Sequence, residues 1–427
     1  MDYPAAIQYL DAHIGLGVKP GLDRIKRLLD AMGGPEQGYP VIHVAGTNGK
    51  TSTARLATRL LTGHGLTTGT YTSPHLQRVE ERLAVNGQYA TEEQFALAVS
   101  DVAAFAELLV SQGEEPSTYF ELTTAAAFAF FADQAVNTAV VEVGLGGRLD
   151  ATNVVGAEVC VLTSIGIEHT EYLGHDVGTI AREKLGIVGP GSILISGPLP
   201  DPALERAETT ARDLGIQHRH YGRDFSVLDG ELGVGGWLTT IEGAESTYED
   251  IFLPVHGRHQ LVNLAAAIAA TEALIGRKLD RDVVVDACAA ATLPGRMEQI
   301  GVSPVVLVDG AHNADGVATL VESVAEEFPS ASWQVVFGVM GDKNLDAMLD
   351  HIRPITAGVV ATAAQSDRAV PPHELAAKVS EHGIPVLVAE EVGGALDRAR
   401  AEAGPEGHVL VAGSLYLAGE IRDLAGR

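Results

Sequence analysis

Cysteine is almost missing from this chain of 427 residues, which has two, Cys160 and Cys288. Both sit in apolar or small-residue surroundings, EVCVL and DACAAA, with no CxxC and no metal-ligand spacing, so buried, inert thiols are expected. Basic residues are scarce too: 29 Lys and Arg stand against 56 Asp and Glu, a net charge of −27. A surface of that sign repels polyanions and disfavours general binding to nucleic acid or to an anionic membrane. Long hydrophobic runs are also lacking. No uninterrupted apolar stretch approaches the ~18 residues of a membrane span, and Met1 to Leu10 has neither a basic segment nor a signal-like apolar run. A cytoplasmic protein without nucleic-acid or membrane partners is expected. Fixed-period repeats and low-complexity tracts are absent as well.

What is present is apolar and strongly patterned. Hydrophobic residues make up 46% of the chain, and its length exceeds that at which a single core stops growing, so two domains are expected. Short apolar runs ending in a glycine or polar turn recur at 41–49, 138–147, 159–166, 305–313, 333–342 and 408–415, the pattern of buried parallel strands. Between them lie Ala/Leu-rich stretches at 52–61, 121–132, 263–274 and 315–327 that predict helices. Alternation of this kind predicts an α/β doubly wound fold, with ligands at the carboxyl ends of the strands. The Pro294-Gly295 turn suggests a boundary, giving domains of residues 1–295 and 296–427. Region 196–250 is richer in Gly, Pro and acidic residues and reads as excursions and short strands within the first domain.

Chemistry is first legible after VIHVA, in Gly46-Thr47-Asn48-Gly49-Lys50-Thr51-Ser52. A strand, a Gly-rich loop and a helix in that order form a phosphate cradle. Backbone N–H groups and the helix N-terminus face phosphate oxygens, Lys50 neutralises charge, and a hydroxyl reaches Mg²⁺. The spacing is shorter than the usual P-loop, which would have glycine where Val44 stands. Anionic substrates on an acidic protein require local cations, and Lys50, Arg82, Arg182, Lys184, Arg258, Arg296 and Lys343 lie in or beside the motifs. Glu142 breaks an apolar strand, and a buried carboxylate is costly unless it meets a cation or metal. His169 follows the next strand at the same sheet edge and could share an ion with it. Taken alone, Arg182-Glu183-Lys184 reads as a solvated charged face. Asn263, Arg296, Asp309 and His312 read equally well as a helix-face amide, a linker charge and two turn residues.

The shortened loop resembles that of the Mur ligase superfamily. Thr72-Ser73-Pro74-His75-Leu76 and the run from Val141 to Asn153, VEVGLGGRLDATN, resemble the two signatures of its folylpolyglutamate synthase branch. Further similar motifs are Ile165 to Thr170, Arg182-Glu183-Lys184, His259-Gln260 with Asn263, Pro294-Gly295-Arg296, Asp309 to Asn313 and Gly413 to Tyr416, so the likeness runs from about residue 16 to 422. Three positions differ from the branch's frequent residues: Thr51 stands for glycine, Glu168 for aspartate and Leu185 for alanine.

The resemblance implies a P-loop central ATPase domain and a smaller Rossmann-like α/β C-terminal domain. It implies ATP-dependent ligation of L-glutamate to folate or dihydropteroate through an acyl phosphate; a monomer is expected. Gly46 to Ser52, Asn263, Arg296 and Asp309 would bind ATP. Ser73, Glu142 and His169 would hold Mg²⁺, and a carbamylated Lys184 would hold a second ion. Lys50, Lys184 and His312 would be catalytic, and Ser73, Pro74, His75, Asp150, Asp309, His312, Ser414 and Tyr416 would line the folate and glutamate sites. The rivals are a cell-wall ligase acting on a UDP-linked precursor and a non-catalytic ATP-binding paralogue. Against the first, only 45 residues precede Gly46, too few for a UDP-binding domain. Against the second, Lys50, Glu142 and His169 are all retained.

Overall fold

A computed structural model describes residues 1–427 and arranges them around three sheets. The first comprises β1 (Val41–Ala45), β2 (Thr68–Tyr71), β3 (Leu83–Val85), β4 (Gln88–Tyr89), β5 (Thr138–Glu142), β6 (Val159–Leu162), β7 (Ile193–Ser196) and β8 (His218–His220). Their order is β4-β3-β2-β5-β1-β6-β7-β8. β1 runs parallel to both β5 and β6, with Val44 opposite Glu142 and Ala45 opposite Leu162. All five residues of β1 are buried, as a nearly continuous apolar strand covered on both faces must be. Helices Lys50–Gly63 and His259–Ile275 cover one face, packing Ala54, Leu60, Leu264 and Ala267 against Val44 and Val140. Helices Glu92–Ser111 and Tyr119–Asp133 cover the other, packing Val99, Leu122 and Phe128 against Val41 and Val141. The helix Glu92–Ser111 is long and apolar enough on average to cross a membrane. Its Phe95, Val99, Val102 and Ala106 stripe instead belongs to the core.

The second sheet is an antiparallel meander of β9 (Ser226–Gly233), β10 (Gly236–Glu242) and β11 (Thr247–Leu253). It buries Trp237, Ile241, Tyr248 and Ile251 beside the helix His259–Ile275. Region 196–250 thus holds strands, as its composition suggested. It also holds an unanticipated helix, Asp201–Leu214, whose Ala203, Ala207 and Ala211 are buried at i, i+4 and i+8. The third sheet comprises β12 (Glu298–Val302), β13 (Val305–Val308), β14 (Trp333–Phe337), β15 (Thr356–Ala361), β16 (Val386–Val388) and β17 (His408–Ala412), ordered β12-β13-β17-β14-β15-β16. Between the second and third sheets Gly295 takes a left-handed φ of 65°, which glycine adopts without a Cβ penalty. Both cysteines are free and buried.

Candidate active site

β1 delivers the chain into Gly46–Gly49, and the helix begins at Lys50. Gly49 has φ 85°, and a side chain there would collide with the Asn263 amide. The loop is held from β6: Thr163 Oγ1 donates to the Asn48 carbonyl at 2.6 Å, and Asn48 N donates to Ser164 Oγ at 3.0 Å. Lys50 curls back so that Nζ donates to the carbonyls of Gly46 and Thr47, both at 2.9 Å. The amides of Asn48 and Asn313 exchange hydrogen bonds of 3.4 and 3.2 Å, joining the loop to the third sheet.

Glu142, the last residue of β5, is 1% exposed. It accepts from Thr51 Oγ1 at 2.9 and 3.1 Å and from Ser73 N at 3.2 Å. Burial raises its pKa, and Lys50 and these donors oppose the rise. Ser73 Oγ, beside it, is buried without any hydrogen-bond partner. A carboxylate, an orphaned hydroxyl and the Thr51 hydroxyl form the hard oxygen set that suits Mg²⁺. His169, in left-handed conformation at φ 46°, lines the same cavity. No three His, Cys, Asp or Glu side chains converge in this structure, so an ion at Glu142 would draw on hydroxyls, water and phosphate oxygens.

Lys184 is not on a solvated face, as its local sequence suggested; it is 2% exposed. The helix Val177–Leu185 turns Arg182 to solvent and Lys184 inward. There Nζ donates to the Gly46 carbonyl and to Glu168 Oε1, both at 2.8 Å. Burial, reinforced by Lys50, lowers the Lys184 pKa. Burial alone would raise that of Glu168, but Lys184 and Lys50 together outweigh it and hold it at about 2.

The third sheet closes the cavity with Arg296, Asp309 and His312. Arg296 is half-buried and donates to the Gly295 carbonyl at 3.1 Å; desolvation lowers its pKa, and Asp309 and Glu142 oppose this. Asp309 shapes its own turn, accepting from Met297 N at 2.8 Å and Ala311 N at 2.7 Å. His312 Nδ1 lies 2.8 Å from the Gly310 carbonyl and therefore donates to it, while burial lowers the ring's pKa to about 4. Asn263 Nδ2 donates to Gln260 Oε1 at 2.9 Å, placing both at the same opening.

A second cavity of about 690 Å³ adjoins the first, sharing Ser73, Pro74 and Gly144 to Gly146. His75, Arg82, Tyr119, Phe120, Asp150 and Tyr416 line it. Arg82 is buried, stacks over the Tyr119 ring at 5.4 Å and donates from Nε to His75 Nδ1 at 3.1 Å. Burial and this guanidinium lower the His75 pKa to about 4. Asp150 is 5% exposed, and its oxygens accept from Thr152 N at 3.0 Å, Thr152 Oγ1 at 2.5 Å and Leu145 N at 2.7 Å. Ser414 lines neither cavity: it is buried and caps the helix Leu415–Leu424, accepting from Tyr416 N at 3.2 Å. Arg258 also stands apart, pairing with Glu326 on the surface at 3.2 Å.

Two family descriptions match: the Mur ligase middle domain over residues 44–271 and the Mur ligase glutamate ligase domain over residues 295–415. Among curated relatives, the Mycobacterium tuberculosis dihydrofolate synthase/folylpolyglutamate synthase is 37% identical, over 96% of this chain and 91% of that one. The folylpolyglutamate synthase of Lacticaseibacillus casei is 33% identical, over 99% and 98%. The chain belongs to the folylpolyglutamate and dihydrofolate synthase branch of the Mur ligase superfamily. The M. tuberculosis folylpolyglutamate synthase complexed with ADP superposes on this Mur ligase with a TM-score of 0.95 at 36% identity, covering 100% of this chain and 99% of the other. Escherichia coli FolC in complex with DHPP and ADP gives 0.89 at 29% identity, covering 100% and 98%.

Several cavity residues of this Mur ligase escaped the sequence reading. Tyr119 and Phe120 open the helix Tyr119–Asp133 directly after Thr118, which forms a capping box with Glu121. That Thr-x-x-Glu pattern before an apolar run fixes the helix start and would have placed both rings at a sheet edge. Glu168 stood out only as a departure from aspartate, and nothing local marks it as the partner of Lys184.

Proposed function

We propose that this Mur ligase joins L-glutamate to the carboxylate of a folate or dihydropteroate, with ATP activating that carboxylate as an acyl phosphate. One observation carries the reading: the phosphate loop, the Glu142 and Ser73 oxygen pair, and Arg296, Asp309 and His312 from the third sheet all face one cavity. That cavity opens directly into an apolar, aromatic-lined one sized for a bicyclic ligand.

In this mechanism Lys50 leaves the carbonyls of Gly46 and Thr47 and turns to the phosphates, while the loop amides hold the β-phosphate. Asn263 and Arg296 hold the nucleotide from either side. Ser73, Glu142 and His169 would hold one Mg²⁺ and a carbamylated Lys184 a second, and the ions supply charge neutralisation between phosphates. Attack by the folate carboxylate on the γ-phosphorus breaks the bond to ADP. The glutamate amine then displaces inorganic phosphate from the acyl group. His312, neutral and fixed through Nδ1, presents a bare Nε2 to the reaction space, and Asp309 keeps the turn that carries it. Docking of the third sheet over the loop excludes the water that would hydrolyse the acyl phosphate.

Residues 1–295 and 296–427 act in this reading as two domains. Supporting it, the middle-domain match ends at residue 271, the glutamate ligase match begins at residue 295, and the third sheet starts at Glu298. Pro74, His75, Asp150 and Tyr416 line the folate side; Ser414 acts through the helix start it caps. The enzyme works as a cytoplasmic monomer. ATP turnover with glutamate and, in turn, dihydropteroate, tetrahydrofolate and a UDP-muramyl peptide tests the assignment. Turnover with a pteroyl acceptor is expected, and turnover with the UDP-muramyl peptide alone overturns it.

A further inference from the structure

The segment carrying Ser73 does not rest on its own domain along its whole length. Thr72 N donates to the Arg82 carbonyl at 3.1 Å and closes the base of a loop. Inside it, Glu81 accepts from the backbone N–H groups of Leu76, Gln77 and Arg78 at 3.0, 3.0 and 2.8 Å, and so fixes its shape. The second half is anchored in the first domain through Val79, a core residue, and Glu80, which accepts from Tyr3 Oη at 2.7 Å. The first half reaches across to the third-sheet domain. Leu76 packs against the core cluster that contains Leu417, Ala418 and Ile421, its carbonyl lies against Gly419, and its side chain abuts Gly295.

Gln77 is the polar counterpart of that contact. Its Nε2 donates to Asp423 Oδ1 at 2.6 Å and to the carbonyl of Arg427 at 3.0 Å, and its Oε1 accepts from Arg422 Nη1. Arg422, with a side chain 11% exposed, forks onto Glu298 through Nε at 2.6 Å and Nη2 at 3.3 Å. Glu298 Oε2 also accepts from Gly295 N at 2.8 Å. One guanidinium therefore joins the Ser73 loop, the C-terminal helix and the inter-domain turn. A planar fork of fixed donors suits such a node, and lysine could not replace it.

We infer that Arg422 and Gln77 are positioning residues for Ser73: their clasp, formed only while the third-sheet domain is docked, sets the Ser73 hydroxyl against Glu142. The inference rests on the reading that Ser73 and Glu142 hold a divalent ion. The clasp gives that reading a mechanism for making the metal site complete only when the domain bringing Arg296, Asp309 and His312 is in place. Charge alone would not do this, because Arg422 is one residue on an acidic surface, whereas a loop tied at its tip constrains a hydroxyl four residues away.

The test uses the full chain, with Mn²⁺ as the probe ion and a non-hydrolysable ATP analogue present. Arg422→Ala and Gln77→Ala should each weaken Mn²⁺ binding by about tenfold, the low end for groups that orient a ligand indirectly. Hydrogen exchange at the amides of Leu76, Gln77 and Arg78 should accelerate. Arg422→Lys should fall between. In a Ser73→Ala background Arg422→Ala should add nothing, since both act on one hydroxyl. If Ser73→Ala weakens Mn²⁺ while both clasp variants bind it as the wild type does, the clasp inference is overturned and the metal reading stands. If Ser73→Ala itself leaves Mn²⁺ binding unchanged, the metal reading falls and the clasp inference with it. Should Arg422→Ala fail to fold, Gln77→Ala, which keeps the Arg422–Glu298 pair, decides alone.

Discussion

Thr51 Oγ1 lies 2.9 and 3.1 Å from the two carboxylate oxygens of Glu142, so the residue after the phosphate-loop lysine is tied to the last residue of the neighbouring strand. The contact follows from register, since parallel pairing sets Val44 beside Glu142 and thereby brings the start of the helix Lys50–Gly63 over the end of β5. A chain with glycine at this position would lack the hydroxyl. Here it helps keep ionised a carboxylate that burial pushes toward protonation.

That balance predicts opposite effects of Glu142→Gln on stability and function. The folded-state pKa of Glu142 is raised, so its charged form is less favoured in the folded chain than in the unfolded one, and near neutral pH it destabilises the ligand-free fold. Glu142→Gln should raise Tm without ligands while the Mg²⁺ needed for half-maximal turnover rises by about tenfold or more. His169→Ala should shift the magnesium curve in the same direction. Superimposable magnesium titrations of both variants and the wild type would refute the shared ion.

Lys50→Ala removes the one flexible cation of the phosphate loop. Its present hydrogen bonds to Gly46 and Thr47 are worth about 1 kcal/mol each, so a modest fall in Tm is expected. Turnover should fall roughly 10²–10³-fold or more, with the fold retained by circular dichroism. A folded variant with near-normal kcat contradicts a role for Lys50 in transfer.

The reach of the sequence follows the range of the interactions. β1, its loop and the following helix were legible because an apolar run, two glycines and a lysine are local signals. The observed helix Lys50–Gly63 extends the expected 52–61 by only two residues at each end. Glu142 was legible as a charge inside a buried strand. Lys184 was not legible on its own, because its partners are the Gly46 carbonyl, 138 residues away, and Glu168. Neighbouring Arg182 and Glu183 give the helix a charged appearance that only its packing resolves. The helix Asp201–Leu214 was hidden by a sparse alanine stripe among charges, and the clasp at Arg422 depends on a contact 345 residues apart with Gln77.

His43 predicts a pH dependence of stability. It lies on β1, fully buried, with Nε2 2.8 Å from Thr152 Oγ1. Thr152 donates to Asp150 Oδ1, so His43 Nε2 must be the donor, and Nδ1 is left bare and unpartnered. Burial lowers its pKa to about 3. Because the unfolded chain binds this proton near pH 6.5, the stability held by neutral His43 is complete above that pH. It is lost as pH falls toward 3, at about 1.4 kcal/mol per pH unit. Between pH 7.5 and 4.5, His43→Gln should therefore lose about 3 kcal/mol less than the wild type in urea unfolding. Parallel losses in the two proteins would remove His43 from the acid response.

Lys184 carries the last prediction, carbamylation. Burial lowers its pKa, and the nearby Lys50 adds to the effect, so more of the neutral amine exists near pH 8 than for an exposed lysine. Attack of that amine on carbon dioxide forms the N–C bond and releases one proton, leaving an anionic carbamate. In the present arrangement Nζ is held by Glu168, and a carbamate facing that carboxylate would set two anions together. The adduct should therefore accumulate only when a divalent cation lies between them, which also provides the oxygen ligands magnesium prefers. Labelled bicarbonate should give a carbamate carbon signal in the wild type that grows with Mg²⁺ and ATP analogue and is missing from Lys184→Ala. Lys184→Ala should lose activity and regain part of it with a small added carboxylate. Identical carbon spectra from the two proteins, with Mg²⁺ present, would end the case for the modification.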